Sequence, residues 1–132
     1  MSAAADTLKK VPLFAGLDDK DLERIASGMV ERRFSAGDKL TEQGTSGIGF
    51  FVIEDGTADV TVDGAPRSSV GPGDYFGEIA LLSDSSRTRT ATITATTDMV
   101  TYGMTVWEFK PMVESNSELA WKLLTAMAAK LA

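Results

Sequence analysis

The stretch from Glu31 to Met104 is cut into short β-branched and aromatic runs by glycine turns: Gly37-Asp38, Gly44, Asp55-Gly56, Asp63-Gly64 and Gly71-Pro72-Gly73-Asp74. Runs this short leave no room for long helices. Their roughly regular spacing predicts short strands in a sandwich or barrel. Ala58, Val60 and Val62 alternate with Thr57, Asp59 and Thr61, which gives a strand with one wet face. Ala91, Ile93 and Ala95 alternate with threonines in the same way, and Val100 to Met104 forms another strand. Asp63-Gly64 is a two-residue hairpin signal. The run from Ile48 to Ile53 is continuously apolar, which predicts a strand covered on both faces.

Helical texture brackets this β region. Met1 to Thr7 is small and polar and reads as a frayed end, with a short helical turn over Leu8 to Leu13. Asp18 is positioned as an N-cap. Leu22, Ile25, Ala26 and Met29 then supply an apolar face at helical spacing, and Gly28 weakens the end. After Thr105 the spacing turns helical again over Val106 to Val113, where Pro111 kinks or ends the helix. Ser117 is the expected cap of a last helix. Leu119, Leu123, Met127 and Leu131 stripe that helix at i, i+4, flanked by Trp121 and Leu124.

Composition removes several chemistries. The chain has no cysteine and no histidine. Disulfides, thiolate nucleophiles, a Ser-His-Asp triad and a His-built metal site are therefore excluded within it. No paired-carboxylate motif replaces them, so the expectation is a protein that is not an enzyme. With 13 basic and 19 acidic residues, the net charge of −6 opposes nucleic-acid binding. A small anion held at one local site remains allowed. No apolar run is long enough to span a membrane, and the first ten residues lack the apolar core of a secretory signal. Cytoplasmic location is the expectation.

One segment reads as a site. Gly71-Pro72-Gly73-Asp74-Tyr75-Phe76 leads into Gly77-Glu78-Ile79-Ala80-Leu81-Leu82, and a polar loop then runs to Arg87, Arg89 and Thr90. Gly77 permits close approach of a ligand to the backbone. A helix start there presents free N–H groups of Glu78, Ile79 and Ala80 to an anion. Guanidinium geometry suits phosphate oxygens. Glu78 at the mouth of such a site repels phosphate but suits a sugar hydroxyl, as acids do for ribose.

Gly77-Glu78-Ile79-Ala80-Leu81-Leu82 followed by Arg89-Thr90-Ala91-Thr92-Ile93 resembles the phosphate-binding cassette of the cyclic nucleotide-binding domain family. That family includes sensor domains of catabolite activator proteins, protein kinase A regulatory subunits and cyclic-nucleotide-gated channels. The likeness extends to Pro12-Leu13-Phe14 with Leu17, to Phe34-Ser35-Ala36-Gly37-Asp38, to Glu42-Gln43-Gly44 and to Phe51-Val52-Ile53-Glu54-Asp55-Gly56. It implies a mainly β fold with flanking helices, a double-stranded β-helix or jelly-roll-like β-roll. As a single domain it divides into an N-terminal helical segment (1–30), a β-roll (31–104) with the cassette at 77–90, and C-terminal helices (105–132). It also implies roles. Gly77, Ile79 and Ala80 meet the cyclic phosphate, Glu78 accepts the ribose 2′-hydroxyl, and Thr90 adds a hydroxyl. Val60 and Val70 line the base pocket. Arg89 is favoured for the phosphate because the residues after it fit the family strand pattern. Arg87, nearer the cassette helix, is the alternative.

The implied ligand is cAMP, with cGMP as alternative, and no cofactor or metal is expected. The implied function is a stand-alone sensor that relays occupancy through its C-terminal helices to a protein effector or a homodimer partner. The contrasting reading is a non-binding interaction or dimerisation module on the same β-roll. Other features have plainer accounts. Asp18, Asp19 and Asp21 read as helix capping, Gly71 and Gly73 as turn glycines, and the threonine run as strand propensity. Trp121 and the leucine stripe read as core packing or a dimer seam, with a lid over the purine as the other possibility.

Overall fold

The glycine-punctuated region folds as eight strands among the described residues, each antiparallel to its neighbours. The computed structural model describes residues 2–14, 17–44, 49–77 and 91–131. The strands are β1 (Val30–Phe34), β2 (Lys39–Thr41), β3 (Gly49–Asp55), β4 (Ala58–Val62), β5 (Ala65–Val70), β6 (Tyr75–Phe76), β7 (Thr92–Ala95) and β8 (Met99–Thr105). One sheet has the order β1-β8-β3-β6 and the other β2-β7-β4-β5. The chain changes sheet at every step except the β4–β5 hairpin, and that alternation winds it into a β-roll. The hairpin closes on Asp63-Gly64 with Val62 opposite Ala65, as its sequence predicts.

The apolar run in β3 has a structural cause. Phe50 and Val52 face outward into a core shared with the helices, which includes Leu8, Phe14, Leu22, Tyr102, Phe109 and Leu119. Ile53 faces inward with Ala58, Phe76, Ile93, Ala95 and Met99, and Phe51 packs against that second cluster. The strand is therefore covered on both sides. Gly103 lies opposite Phe51, and a Cβ there would sit 2.6 Å from the Phe51 ring. A bare backbone at that point lets Phe51 lie flat and stack on Phe76 (5.1 Å between centroids, 16° between planes).

The helices are α1 (Ala3–Lys9), α2 (Asp19–Ser27), α3 (Val106–Ser115) and α4 (Ser117–Leu131), with a 3₁₀ turn at Pro12–Phe14. Asp18 caps α2, its carboxylate accepting the Asp21 N–H at 2.8 Å. Three expectations are corrected. The N-terminus is not frayed over residues 2–7. Ser2 caps α1 through the Ala5 N–H (3.1 Å), donates its own N–H to Glu23 of α2 (2.7 Å), and Ala5 and Leu8 are fully buried. Cap, tie and burial together hold a helix too short to persist alone. Of the two outcomes expected at Pro111, the helix end is overturned, since α3 continues to Ser115. The cap of α4 is Asn116 rather than Ser117, its side chain accepting the Leu119 N–H at 3.1 Å.

Candidate functional site

Gly77 stands at the exit of β6 with φ of +95°, a left-handed conformation that strains any residue carrying a Cβ. The preceding turn sets its direction. The Asp74 carboxylate accepts the Gly71 N–H (2.8 Å); the Ile53 N–H donates to the Asp74 carbonyl, and the Ile53 carbonyl accepts the Gly73 N–H, at 3.0 Å each. Gly71 and Gly73 are thus turn residues, as read from sequence. Phe76, stacked on Phe51, anchors the exit in the inner cluster.

The chain returns at Ala91, entering β7 between β2 and β4. Ile93 is buried in the same inner cluster as Phe76. Thr41 Oγ1 donates to the Ala91 carbonyl (3.1 Å), and the Gln43 N–H donates to Thr92 Oγ1 (2.9 Å). Nothing in the sequence marks Thr41, Gln43 or Thr92 for this. Thr92 reads as strand propensity and Gln43 as a turn residue, because their partners are some fifty positions away.

Val60 and Val70 lie on the paired strands β4 and β5, with Val60 opposite Ser68 and Val70 opposite Ala58. Both are half-buried against the inner cluster. The structure therefore joins the two predicted base-pocket valines with the residues flanking both ends of the cassette. Glu78, Ile79, Ala80, Arg87, Arg89 and Thr90 lie outside the described residues. Among the described residues no three His, Cys, Asp or Glu side chains gather as a metal site.

Among the described residues one ionisable group is strongly perturbed, on the helix-facing side of the first sheet. Burial pushes the Tyr102 phenol up to about 12, and its hydrogen bond to the Glu54 carboxylate (3.0 Å) adds to this. Below about pH 10 the phenol is protonated in both the folded and unfolded chain. Between about 10 and about 12 the unfolded chain loses that proton while the folded one keeps it, so stability falls as pH rises. The loss is on the order of 2 kcal/mol. Urea melts at about pH 9 and about pH 11.5 should show this loss, and Tyr102→Phe should remove it. An identical pH dependence in the variant would exclude Tyr102 as its source.

Residues 31–116 match the family model of the cyclic nucleotide-binding domain. The chain belongs to that family. The match runs from β1 through α3 and stops before α4. The cyclic nucleotide-binding domain is 35% identical over 112 residues to the cAMP-dependent protein kinase regulatory subunit of Eremothecium gossypii, covering 83% of this chain and 24% of the relative. It thus spans about a quarter of the length of that curated relative. Among solved structures it resembles the N-terminal domain of a transcriptional regulator from Streptomyces coelicolor A3(2), with TM-score 0.79 and 30% identity over 96% of this chain and 90% of the other. It also resembles the regulatory domain of Toxoplasma gondii PKA co-crystallised with cAMP, with TM-score 0.72 and 30% identity over 83% of this chain and 43% of the other. The double-stranded β-roll with flanking helices is the fold of these neighbours.

Proposed function

We propose that this domain is a sensor that binds cAMP, with cGMP as the alternative ligand, and that it is not an enzyme. The observation that carries the reading is the union in one buried cluster of Phe76, Ile93, Val60 and Val70. The first two flank the cassette sequence and the last two are the proposed purine contacts. Gly77, Ile79 and Ala80 meet the cyclic phosphate, Arg89 pairs with it, Glu78 takes the ribose 2′-hydroxyl, and Thr90 adds a hydroxyl. Arg87 is the alternative phosphate ligand. The left-handed Gly77 supports close ligand approach.

Occupancy is relayed to the C-terminal helices. β3 supports this route, because Phe51 and Ile53 face the roll while Phe50 and Val52 share a core with Phe109 of α3 and Leu119 and Leu123 of α4. A ligand shifts the helices only by binding one arrangement more tightly than another. Trp107, Trp121 and Leu124 are 63%, 67% and 62% exposed, which supports contact of these helices with a protein effector or a second copy. The same residues support the other reading, an interaction module that binds no nucleotide. The net charge of −6 speaks against a nucleic-acid partner. Among the described residues no helix is long and apolar enough to cross a membrane. The proposed compartment is the cytoplasm and the proposed domain is the whole of residues 1–132.

Calorimetric titration with cAMP and cGMP separates the two readings. A sensor releases heat and, at a hundredfold excess of nucleotide over Kd, gains about 2.7 kcal/mol of stability, a rise in Tm of roughly 10 °C. No heat and an unmoved Tm with either nucleotide favour the interaction module. Glu78→Gln should weaken cAMP about tenfold, by loss of a charged hydrogen bond to the ribose, yet leave a 2′-deoxy analogue nearly unaffected. Equal losses for both ligands would remove Glu78 from the ribose.

A further inference from the structure

Four hydrogen bonds converge where β7 begins. Thr41 Oγ1 donates to the Ala91 carbonyl (3.1 Å) and the Gln43 N–H to Thr92 Oγ1 (2.9 Å). The Gln43 amide then grips the tip of the β4–β5 hairpin. Its Nε2 donates to Asp63 Oδ1 (2.8 Å), and its Oε1 accepts the Asp63 N–H (2.7 Å). Only a side chain with one donor and one acceptor satisfies both. A glutamate here would set two carboxylates against each other.

β4 pairs with β7 in unbroken register up to Thr61–Thr92, but on the β2 side the backbone ladder holds this corner poorly. β2 has three residues, and its pairing with β7 shifts register between Lys39 and Thr41. Shifted pairings fix register weakly, and a one-residue slip exchanges the faces of every side chain in the strand. The side-chain bonds supply what the ladder lacks. Thr41 and the Gln43 N–H hold the start of β7 directly, and the Gln43 side chain ties that turn in place by gripping the β4–β5 tip. Arg89 and Thr90 immediately precede the clamped Ala91.

We infer that Gln43, acting with Thr41 and Asp63, is a positioning residue for nucleotide binding, fixing where the chain that carries Arg89 and Thr90 enters the second sheet. The inference rests on the reading of Arg89 as the phosphate ligand. A two-pronged guanidinium contact depends on direction, and misplacement by about 1 Å costs up to about a hundredfold in an oriented contact. Gln43 touches no ligand in this scheme. It acts through the residues it holds.

The test is calorimetry with cAMP on the whole chain. Gln43→Ala should raise Kd about tenfold, the usual scale for removing a residue that orients a ligand-bearing one. Its ligand-free Tm should stay within about 3 °C of the parent, since the lost side-chain bonds to Asp63 are exposed. In an Arg89→Lys background, where the two-pronged contact is already gone, the same substitution should cost less than about twofold. Gln43→Ala with an unchanged Kd overturns the inference, and so does an equal loss in both backgrounds, which marks a general structural effect. Should Gln43→Ala fail to fold, Asp63→Gly keeps the left-handed tip and removes only the Nε2 acceptor. It should raise Kd about threefold, and no change overturns the proposal. A parent chain that gives no heat with cAMP removes the phosphate site itself, and that titration stands apart from all the variants.

Discussion

Arg89→Ala is expected to weaken cAMP binding by about 2–5 kcal/mol, the range for truncating one partner of a desolvated charge pair. The protein carries a net charge of −6, so its long-range field does nothing to hold an anion. In the proposed site, local donors do that work: the backbone N–H groups after Gly77 and the Arg89 guanidinium. On that proposal, removing the guanidinium would leave the cyclic phosphate with the backbone donors alone. Arg87→Ala is the internal control and should change the affinity by less than about 0.5 kcal/mol, as for an exposed charge. Titrations of both variants against cAMP assign the arginine directly. The reverse order of effects would move the proposed phosphate contact to Arg87.

Phe50→Ala is expected to destabilise the fold by about 3–5 kcal/mol. Phe50 is fully buried. Its ring meets Phe14 at 6.2 Å edge-on, Tyr75 at 5.7 Å and Phe109 at 5.2 Å in a stacked arrangement. One side chain thus links the N-terminal 3₁₀ turn, β6 and α3. Truncation removes apolar contact in three directions and leaves a cavity that elements held on separate strands and helices cannot easily fill. Against a total stability of about 5–15 kcal/mol for a domain of ordinary size, the loss is large, and Tm should fall by roughly 10–20 °C. Thermal melts of the parent, Phe50→Leu and Phe50→Ala should rank in that order. A drop below about 1 kcal/mol for the alanine would mean that this ring cluster does not join the helices to the roll.

Features governed by local chemistry were legible in the sequence. The period-2 alternation of Ala58 to Val60 and of Thr92 to Ala95, the Asp63-Gly64 tip and the Asp18 cap each depend on residues within a few positions and take their expected form, while the alternation fades past the irregularity between Val60 and Thr61. The unbroken apolar run in β3 foretold cover on both faces, and Phe50 and Ile53 lie in different cores. Features that depend on distant partners were not legible. Ala3 to Thr7 is polar and small by itself, and Glu23 of α2 is what ties its cap. Asn116 outcompetes Ser117 as a cap because its longer side chain reaches the Leu119 N–H while Ser117 enters the helix. Pro111 is accommodated inside α3, whose neighbour Phe109 is anchored in the core. The cassette residues were named by their pattern, and the described structure supplies their flanks: Gly77 in its left-handed turn, and Ala91 and Thr92 held by Thr41 and Gln43. That second hold could not be foreseen, because a glutamine before a turn glycine has no local signature for the hairpin it grips.

The most direct measurement is a crystal structure of the chain grown with saturating cAMP. The account predicts the cyclic phosphate lying between the Arg89 guanidinium and the backbone N–H groups after Gly77, the ribose 2′-hydroxyl on Glu78, and the purine against Val60 and Val70. An empty pocket with Arg89 turned to solvent, at nucleotide concentrations that saturate related sensors, would contradict it.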